Sequence, residues 1–446
     1  MSFLKYVAYR DSGIEWLGVV PKHWDISPLK AVASCNDEVL PEGTDGERLI
    51  EYVEISGVDE GRGITGTETL TFGAAPSRAR RVVRDGDVLI STVRTYLRAI
   101  ATVSNPPSNL IASTGFAAIR PRRVHPGFLG YMLRCEYLIS EVIARSVGIS
   151  YPAINASDLM RLKGPIPSIE EQAAIATFLD RETAKINALV EEQRRLIELL
   201  KEKRQAVISQ AVTKGLNANV PMKDSGVEWI GKVPKHWEVK QVRQFTEILR
   251  GKFTHRPRND PAFYDGSHPF IQTGDVTGAT REIASFTQTL NDRGVGVSKQ
   301  FPRGTLVMTI AANIGDVAVL DFPAYFPDSI VGLVPRSGVA LMFLFYLMKA
   351  MKQPLERNAT VSTQMNLNVG QIGSLAAPCP PIEEQLKIVA MLDAEIASVD
   401  LLASEAKTAM SLLGERRTAL ISAAVTGKID VRNVVLPAAK VEELAT

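Results

Sequence analysis

Two stretches of this chain carry apolar residues at alternating steps of four and three. In the first, Ile175, Leu179, Ile186, Leu189, Leu196, Leu200 and Val207 lie on one stripe, with Glu182, Gln193 and Lys203 at its remaining steps. The second holds Ile388, Leu392, Val399, Leu402, Ala406, Ala409, Leu413 and Leu420, with Glu395 and Arg416 at the polar steps. A stripe this narrow, sustained for about five heptads, predicts two long helices that pair as a coiled coil. A helix lying on its own globular core shows a broader apolar face. Ser168, with Glu171 three residues later, reads as a capping box that opens the first helix, and Lys214-Gly215 supplies its stop. In a parallel pair Glu182 would face Glu395 and Lys203 would face Arg416. An antiparallel pair brings Glu182 toward Arg416 and Lys203 toward Glu395, and is therefore expected.

Between these helices the pattern changes. Arg48–Ile55, Asp87–Val93 and Thr305–Ile310 are short, β-branched and bounded by Gly or Asp, so they read as strands. Phe128–Arg145 and Leu341–Lys352 read as helices on the same bodies. The fold class is α+β: two globular domains alternate with two long helices that pair antiparallel, in a pseudo-twofold arrangement. The expected division is 1–165, a first domain with its entry segment; 166–215, the first helix; 216–379, a second domain; 380–430, the second helix; and 431–446, a tail.

The chain also repeats itself. Asp11-Ser-Gly-Ile-Glu-Trp-Leu-Gly-Val-Val-Pro-Lys-His-Trp24 returns as Asp224-Ser-Gly-Val-Glu-Trp-Ile-Gly-Lys-Val-Pro-Lys-His-Trp237, displaced by 213 residues. Ile169-Glu-Glu-Gln172 and Ile382-Glu-Glu-Gln385 keep that displacement, as do Ala211-Val-Thr213 and Ala424-Val-Thr426. Units this long are tandem domains; solenoid repeats run to about 20–50 residues. Trp24 and Trp237 read as anchors where the chain enters each domain. Inside the domains the two copies barely match.

Composition narrows the class. The 446 residues suffice for two to four domains with cores of their own. Three cysteines, odd in number and far apart, favour neither a disulfide framework nor a metal cluster and point to a reducing cytoplasm. No basic-then-apolar leader is evident, and the longest apolar run, Val339–Met348, is about half a bilayer span. A cytoplasmic protein without a membrane partner is expected. The net charge of +2 is uninformative, but its distribution is not. Thr71–Gly130 holds nine arginines against two acids, whereas Asp37–Glu68 holds ten acids against two arginines. This suggests a basic face and an acidic face on the first domain, although a mixed, solvated surface accounts for the run equally well.

Catalytic signatures are weak. Asn105-Pro-Pro-Ser108 nears the Asn-Pro-Pro-aromatic loop of adenine methyltransferases, but serine stands where the stacking ring is needed. Gly61-Arg-Gly-Ile-Thr-Gly66 fits a dinucleotide fingerprint, yet no helical pattern follows, so it reads as a loop. The histidines form no ligand pair, since His23 and His236 are repeat equivalents. Neither catalytic residues nor a metal site is assigned.

With the repeat, the Pro-Lys-His-Trp entries, the Ile-Glu-Glu-Gln helix starts and the Ala-Val-Thr exits in view, the chain resembles the specificity subunit of type I restriction-modification systems over nearly its full length. The resemblance implies a non-catalytic subunit whose two target-recognition domains each read one half of a split, asymmetric sequence in double-stranded DNA. It also implies two adenine methyltransferase subunits docked on the paired helices, near positions such as Arg194, Arg195 and Lys201, and ATP-driven restriction-translocase subunits. S-adenosylmethionine, ATP and magnesium would belong to those partners, and this chain would hold no cofactor. Helices of about 42 residues rise roughly 60 Å, enough to hold two reading heads at least one duplex turn of about 34–36 Å apart. A two-headed protein-binding adaptor and the recognition subunit of a stand-alone cleavage or methylation system are the alternatives.

Base edges are read by Arg, Asn and Gln, and phosphates by cations and amides. The first domain's candidates are Arg78, Arg80 and Arg81 beside Pro76, with Arg94, Tyr96 and Arg98. In the second, Arg250, Lys252, His255, Arg256 and Arg258 lie on one Gly- and Pro-broken basic loop. Tyr151 and Gln364 occupy equivalent loops at the common displacement. For each position, surface charge without base contact is an equal reading.

Overall fold

The computed structural model describes residues 4–149, 151–311, 313–361 and 365–432. The chain forms two compact units, Met1–Arg194 with Ala406–Thr446, and Arg195–Glu405. The long helices Ile169–Lys214 and Ile382–Val425 each give one half to each unit.

The first unit holds two four-stranded sheets. One runs Ile100–Thr102, Val88–Ser91, Phe116–Pro121, Ala33–Cys35, and is antiparallel throughout. Its central strand is a continuous buried run, Val88-Leu-Ile-Ser91, with Leu89 in one hydrophobic cluster and Val88 and Ile90 in another. Alternation of side chains along a strand serves two cores at once. The second sheet runs Glu68–Thr71, Leu49–Val53, Leu110–Ser113, Ala79–Val82, with a parallel pair at its centre.

The second unit repeats this topology. Its sheets run Val317–Val319, Leu306–Thr309, Ile330–Pro335, Thr246–Arg250, and Gln288–Leu290, Tyr264–Phe270, Ala324–Phe326, Lys299–Phe301, the latter again with a parallel central pair. Numbered along the chain within each sheet, both units give the orders 3-2-4-1 and 2-1-4-3. Two bodies that barely match in sequence therefore share one fold.

Antiparallel pairing of the long helices is visible inside each unit. In the first, Ile175 and Leu179 share a core with Ile421, Ala424 and Val425, while Asn187 Oδ1 accepts a bond from Arg417 Nη1 at 3.1 Å. In the second, Ile208 and Val212 pack with Ile388 and Leu392, and Arg204 lies 3.2 Å from Asp400. Asp400 and Arg417 lie 213 residues after Asn187 and Arg204, so one cross-helix contact is made twice. Exchanging the charges, Arg204→Asp with Asp400→Arg, should recover the small loss, about 0.5 kcal/mol, that either change causes alone. Thermal melts of the two single variants and the double variant measure it.

The stripe and its register differ from expectation. Thr183, Ile197 and Leu200 are buried, whereas Leu189 is 44% and Leu196 39% exposed. The second step of each heptad thus falls one residue later, at Thr183, Val190, Ile197 and Arg204. Adjacent apolar residues at 189–190 and 196–197 left two stripes open, and burial of Thr183 in place of charged Glu182 selects between them. Glu182 bonds to Arg181 and Lys185 of its own helix, at 3.0 and 2.9 Å. With Asn187 level with Arg417, Glu182 is level with Ser422, six residues from Arg416 and about 9 Å away along the axis. Lys203 and Glu395 miss each other by the same six residues in the second unit. Neither expected pair occurs among the ion pairs of the described residues.

The repeated motifs lock the helix starts. His23 Nε2 lies 3.0 Å from the Glu171 carboxylate, and Trp24 Nε1 donates to it at 3.4 Å. His236 and Trp237 meet Glu384 in the same way at 2.6 and 2.9 Å. Gln172 accepts from His125 N and donates to Pro167 O, as Gln385 does with Ala340 N and Pro380 O. Ser168 accepts from Glu171 N at 3.3 Å, but the Glu171 side chain turns to His23 and Trp24 rather than closing a capping box.

The helix exits are equally tight. Gly215 and Gly427 both adopt φ +72°, and a Cβ on Gly427 would lie 2.3 Å from Pro21 Cδ and 3.0 Å from Trp24. Gly427→Ala is therefore expected to destabilise the first unit by about 2–4 kcal/mol through a left-handed backbone and overpacking. Calorimetric melting checks it, with Gly43→Ala, where space is open, as the control; equal midpoints would count against the tight fit.

Candidate nucleic-acid interface

In the first unit two loops meet. Arg94 N donates to Pro152 O at 2.8 Å, Val147 pairs with Ala153, and the Arg94 guanidinium lies 4.8 Å over the Tyr151 ring. Tyr96 is 52% and Tyr151 63% exposed, so these loops present two aromatic rings and a cation to solvent. Arg94 itself has φ 50°, a backbone conformation that few residues without glycine's freedom adopt.

Of the other first-domain candidates, Arg78, Arg80 and Arg98 are tethered. Arg98 makes a bidentate pair with Glu136 at 2.8 Å, and Arg78 bonds to Tyr52 and Glu54. Arg80 donates to Ser77 O and covers Phe72, and Arg81 has its Nε buried without a bond. The expected division into a basic and an acidic face does not hold. Arg84 and Arg120 bond to Glu38, and Arg122 bonds to Asp37, so the acidic run supplies partners for the arginine run. Hydrogen bonds from Arg84 and Arg120 hold the Glu38 carboxyl down at about 2.

In the second unit the Arg250–Arg258 loop separates two clefts that share Phe253. One, of about 620 Å³, is lined by Arg250, Lys252, Arg256, Lys299 and Asp328. Asp328 bonds to Arg256 and Arg258, leaving Arg250, Lys252 and Lys299 without a carboxylate partner among the described ion pairs. The other, of about 400 Å³, has aromatic walls, Phe253, Tyr264 and Phe270, with Asn259, Gln272 and Gln288 on its rim. His255 lies 3.0 Å from Asp260 and stacks on Phe263, a structural role. Cations suit phosphates; aromatic rings and amides suit bases.

Lys299, Gln272 and Gln288 escape a sequence reading because tens of residues separate them from the basic loop and only strand pairing brings them beside it. Gln364 lies outside the described residues. Of the described residues on either side, Thr360 pairs with Asn366 as Val147 pairs with Ala153, at the same displacement of 213. Asn105-Pro-Pro-Ser108 is a turn in which Asn105 N donates to Asp85. Gly61 and Gly63 sit in a short hairpin, Val58–Asp59 with Gly63–Ile64, without a following helix.

Comparison with known proteins agrees with this architecture. The chain is 23% identical over 439 residues to the putative type I restriction enzyme MjaX specificity subunit of Methanocaldococcus jannaschii, covering 93% of this chain and 96% of the relative. It is 23% identical over 389 residues to the HindI specificity subunit of Haemophilus influenzae, covering 72% and 84%. Among solved structures, a chain from a study of complex assembly and conformational transition in the type I R-M system superposes with a TM-score of 0.67 at 25% identity, covering 91% of this chain and 98% of that one. The HsdS subunit from Thermoanaerobacter tengcongensis gives 0.51 at 22% identity, covering 92% and 98%, a likeness of fold. The family model for the type I restriction modification DNA specificity domain matches residues 65–199 and 234–408, more than half of the sequence, and the chain belongs to that family.

Proposed function

We propose that this chain is the DNA-recognition subunit of a type I restriction-modification complex, and that its two bodies each read one half of a bipartite target. The observation that carries the reading is one two-sheet body built twice on one helix frame, with different loops on each copy. A shared frame with unlike loops suits a split, non-palindromic sequence. Arg94, Tyr96 and Tyr151 are the first body's contact surface; Arg250, Lys252 and Lys299 meet phosphates beside the second body's aromatic cleft.

Methyl transfer and ATP-driven cleavage belong to partner subunits in this reading. Their docking surface is the outer face of the long helices. It exposes Leu189 and Leu412 in the first unit, and Leu196, Leu199, Leu401 and Leu402 in the second. Exposed leucines in such number on an otherwise charged helix mark a surface that a partner covers. The test is methylome sequencing of cells expressing this chain with its methyltransferase. One bipartite asymmetric motif that vanishes when this chain is removed is the expected result; a single uninterrupted palindrome overturns it.

A further inference from the structure

The second unit contains a cationic cavity that shares no lining residue with the two clefts beside the basic loop. It measures about 270 Å³ and lies between the first long helix and the Leu341–Ala350 helix. Lys201, Arg204, Lys349 and Lys352 line it, against one carboxylate, Asp316. Three of the cations have partners: Lys352 bonds to Asp316 at 2.6 Å, Arg204 lies 3.2 Å from Asp400, and Lys201 bonds to Glu198 at 2.8 Å. Lys349 has no carboxylate among the described ion pairs. Its Nζ lies 3.4 Å from Thr280 O and 4.7 Å from the Phe345 ring centroid. Burial, and then the charge of Arg204, pull its ammonium down to about 8.

The equivalent place in the first unit is a cavity of about 350 Å³ with a different lining: Gly414 and Arg417, the counterparts of Lys201 and Arg204, share it with Arg62 and Arg194 and with two carboxylates, Asp59 and Glu191. Arg417, the repeat counterpart of Arg204, has the Gly61 turn pressed against it, and a Cβ on Gly61 would lie 2.0 Å from its Nη1. Asn187 ties the two together, donating to Gly61 O at 3.1 Å and accepting from Arg417. One frame position thus carries three cations against two carboxylates in the first unit, with a backbone turn on its arginine, and four cations against one carboxylate in the second.

We propose that this cavity binds a phosphate group, held by Lys349, Lys352 and Arg204. A phosphate oxyanion supplies the negative charge that Lys349 lacks and accepts charge-assisted hydrogen bonds from all three side chains. The group comes from inorganic phosphate in solution or from a phosphodiester of bound duplex DNA. The first source stands without the recognition reading above; the second rests on it.

The test is calorimetric titration of the full chain with inorganic phosphate against sodium chloride at matched ionic strength. Saturable binding at one site is expected, weakened at least tenfold in Lys349→Met and kept in Lys349→Arg. A second arm measures binding of a duplex of about 30 base pairs across a salt series. If phosphate competes with the duplex and Lys349→Met lowers the salt slope by about 0.9, the ligand is a backbone phosphodiester. If phosphate binds equally with duplex present, the ligand is free phosphate. Heats indistinguishable from the chloride control, with an unchanged duplex slope in Lys349→Met, overturn the proposal. Should Lys349→Met not fold, Lys352→Gln takes its place, and the wild-type titration needs no variant. Failure of the wild-type chain to bind any duplex would sink the recognition reading while leaving the phosphate titration to decide this one.

Discussion

Replacing Thr44–Pro165 with the corresponding segment of another family member changes one half of the methylated motif and leaves the other half and the gap untouched. The effect is all-or-none at one half-site. It follows from how the segment is built. Both sheets of the first body, apart from the short edge strand Ala33–Cys35, fall inside it, and so do Arg94, Tyr96 and Tyr151. The anchors His23 and Trp24 and their acceptor Glu171 lie outside it, so the graft keeps its seat on the frame. Methylome sequencing of cells carrying the exchange reads the outcome. Change in both half-sites would mean that the bodies do not read independently.

The second large effect concerns the basic cleft. Arg250→Ala with Lys252→Ala should lower the slope of log affinity against log salt by about 1.8, because each phosphate contact contributes about 0.9. Between about 50 and 200 mM salt the wild-type chain should therefore lose about tenfold more affinity than the double variant. The loss should be uniform across sequences, since phosphates carry no base information. Fluorescence anisotropy with specific and unrelated duplexes measures both terms. An unchanged slope would remove the cleft from the DNA path, and a loss confined to the specific duplex would make these residues base readers.

The frame of this protein was legible in its sequence because its signals are local and doubled. The Pro-Lys-His-Trp and Ile-Glu-Glu-Gln motifs are near-identical in both copies, and the structure shows why: each His, Trp, Glu and Gln has a partner in the other motif or at the edge of its own body. The antiparallel direction expected from four charges is present, but the contacts expected of those charges are not. Glu182 bonds within its own helix, and the cross-helix contacts are Asn187 with Arg417 and Arg204 with Asp400. A heptad pattern with apolar residues at two neighbouring steps fixes pairing without fixing register.

The bodies were less legible. Their strands align poorly in sequence because a buried strand asks only for apolar β-branched residues, which many sequences supply. Identity of topology appears only once pairing is known. Charge runs misled for a related reason: Arg84, Arg120 and Arg122 are distant in sequence from Asp37 and Glu38, yet the fold carries them together. The same holds for Lys299 in the basic cleft.

One feature of the fold bears on how the protein is made. The second unit is a continuous stretch, Arg195–Glu405, whereas the first is assembled from Met1–Arg194 and a closing piece that begins at Ala406. During translation the interior unit has its whole sequence out of the ribosome first. The outer one must wait, with Tyr6 and Trp24 unsheltered, until Val425 and Val431 arrive to complete its core. A stop soon after Glu405 would leave the later-encoded body whole and cripple the earlier one, which inverts the usual expectation for a truncated chain.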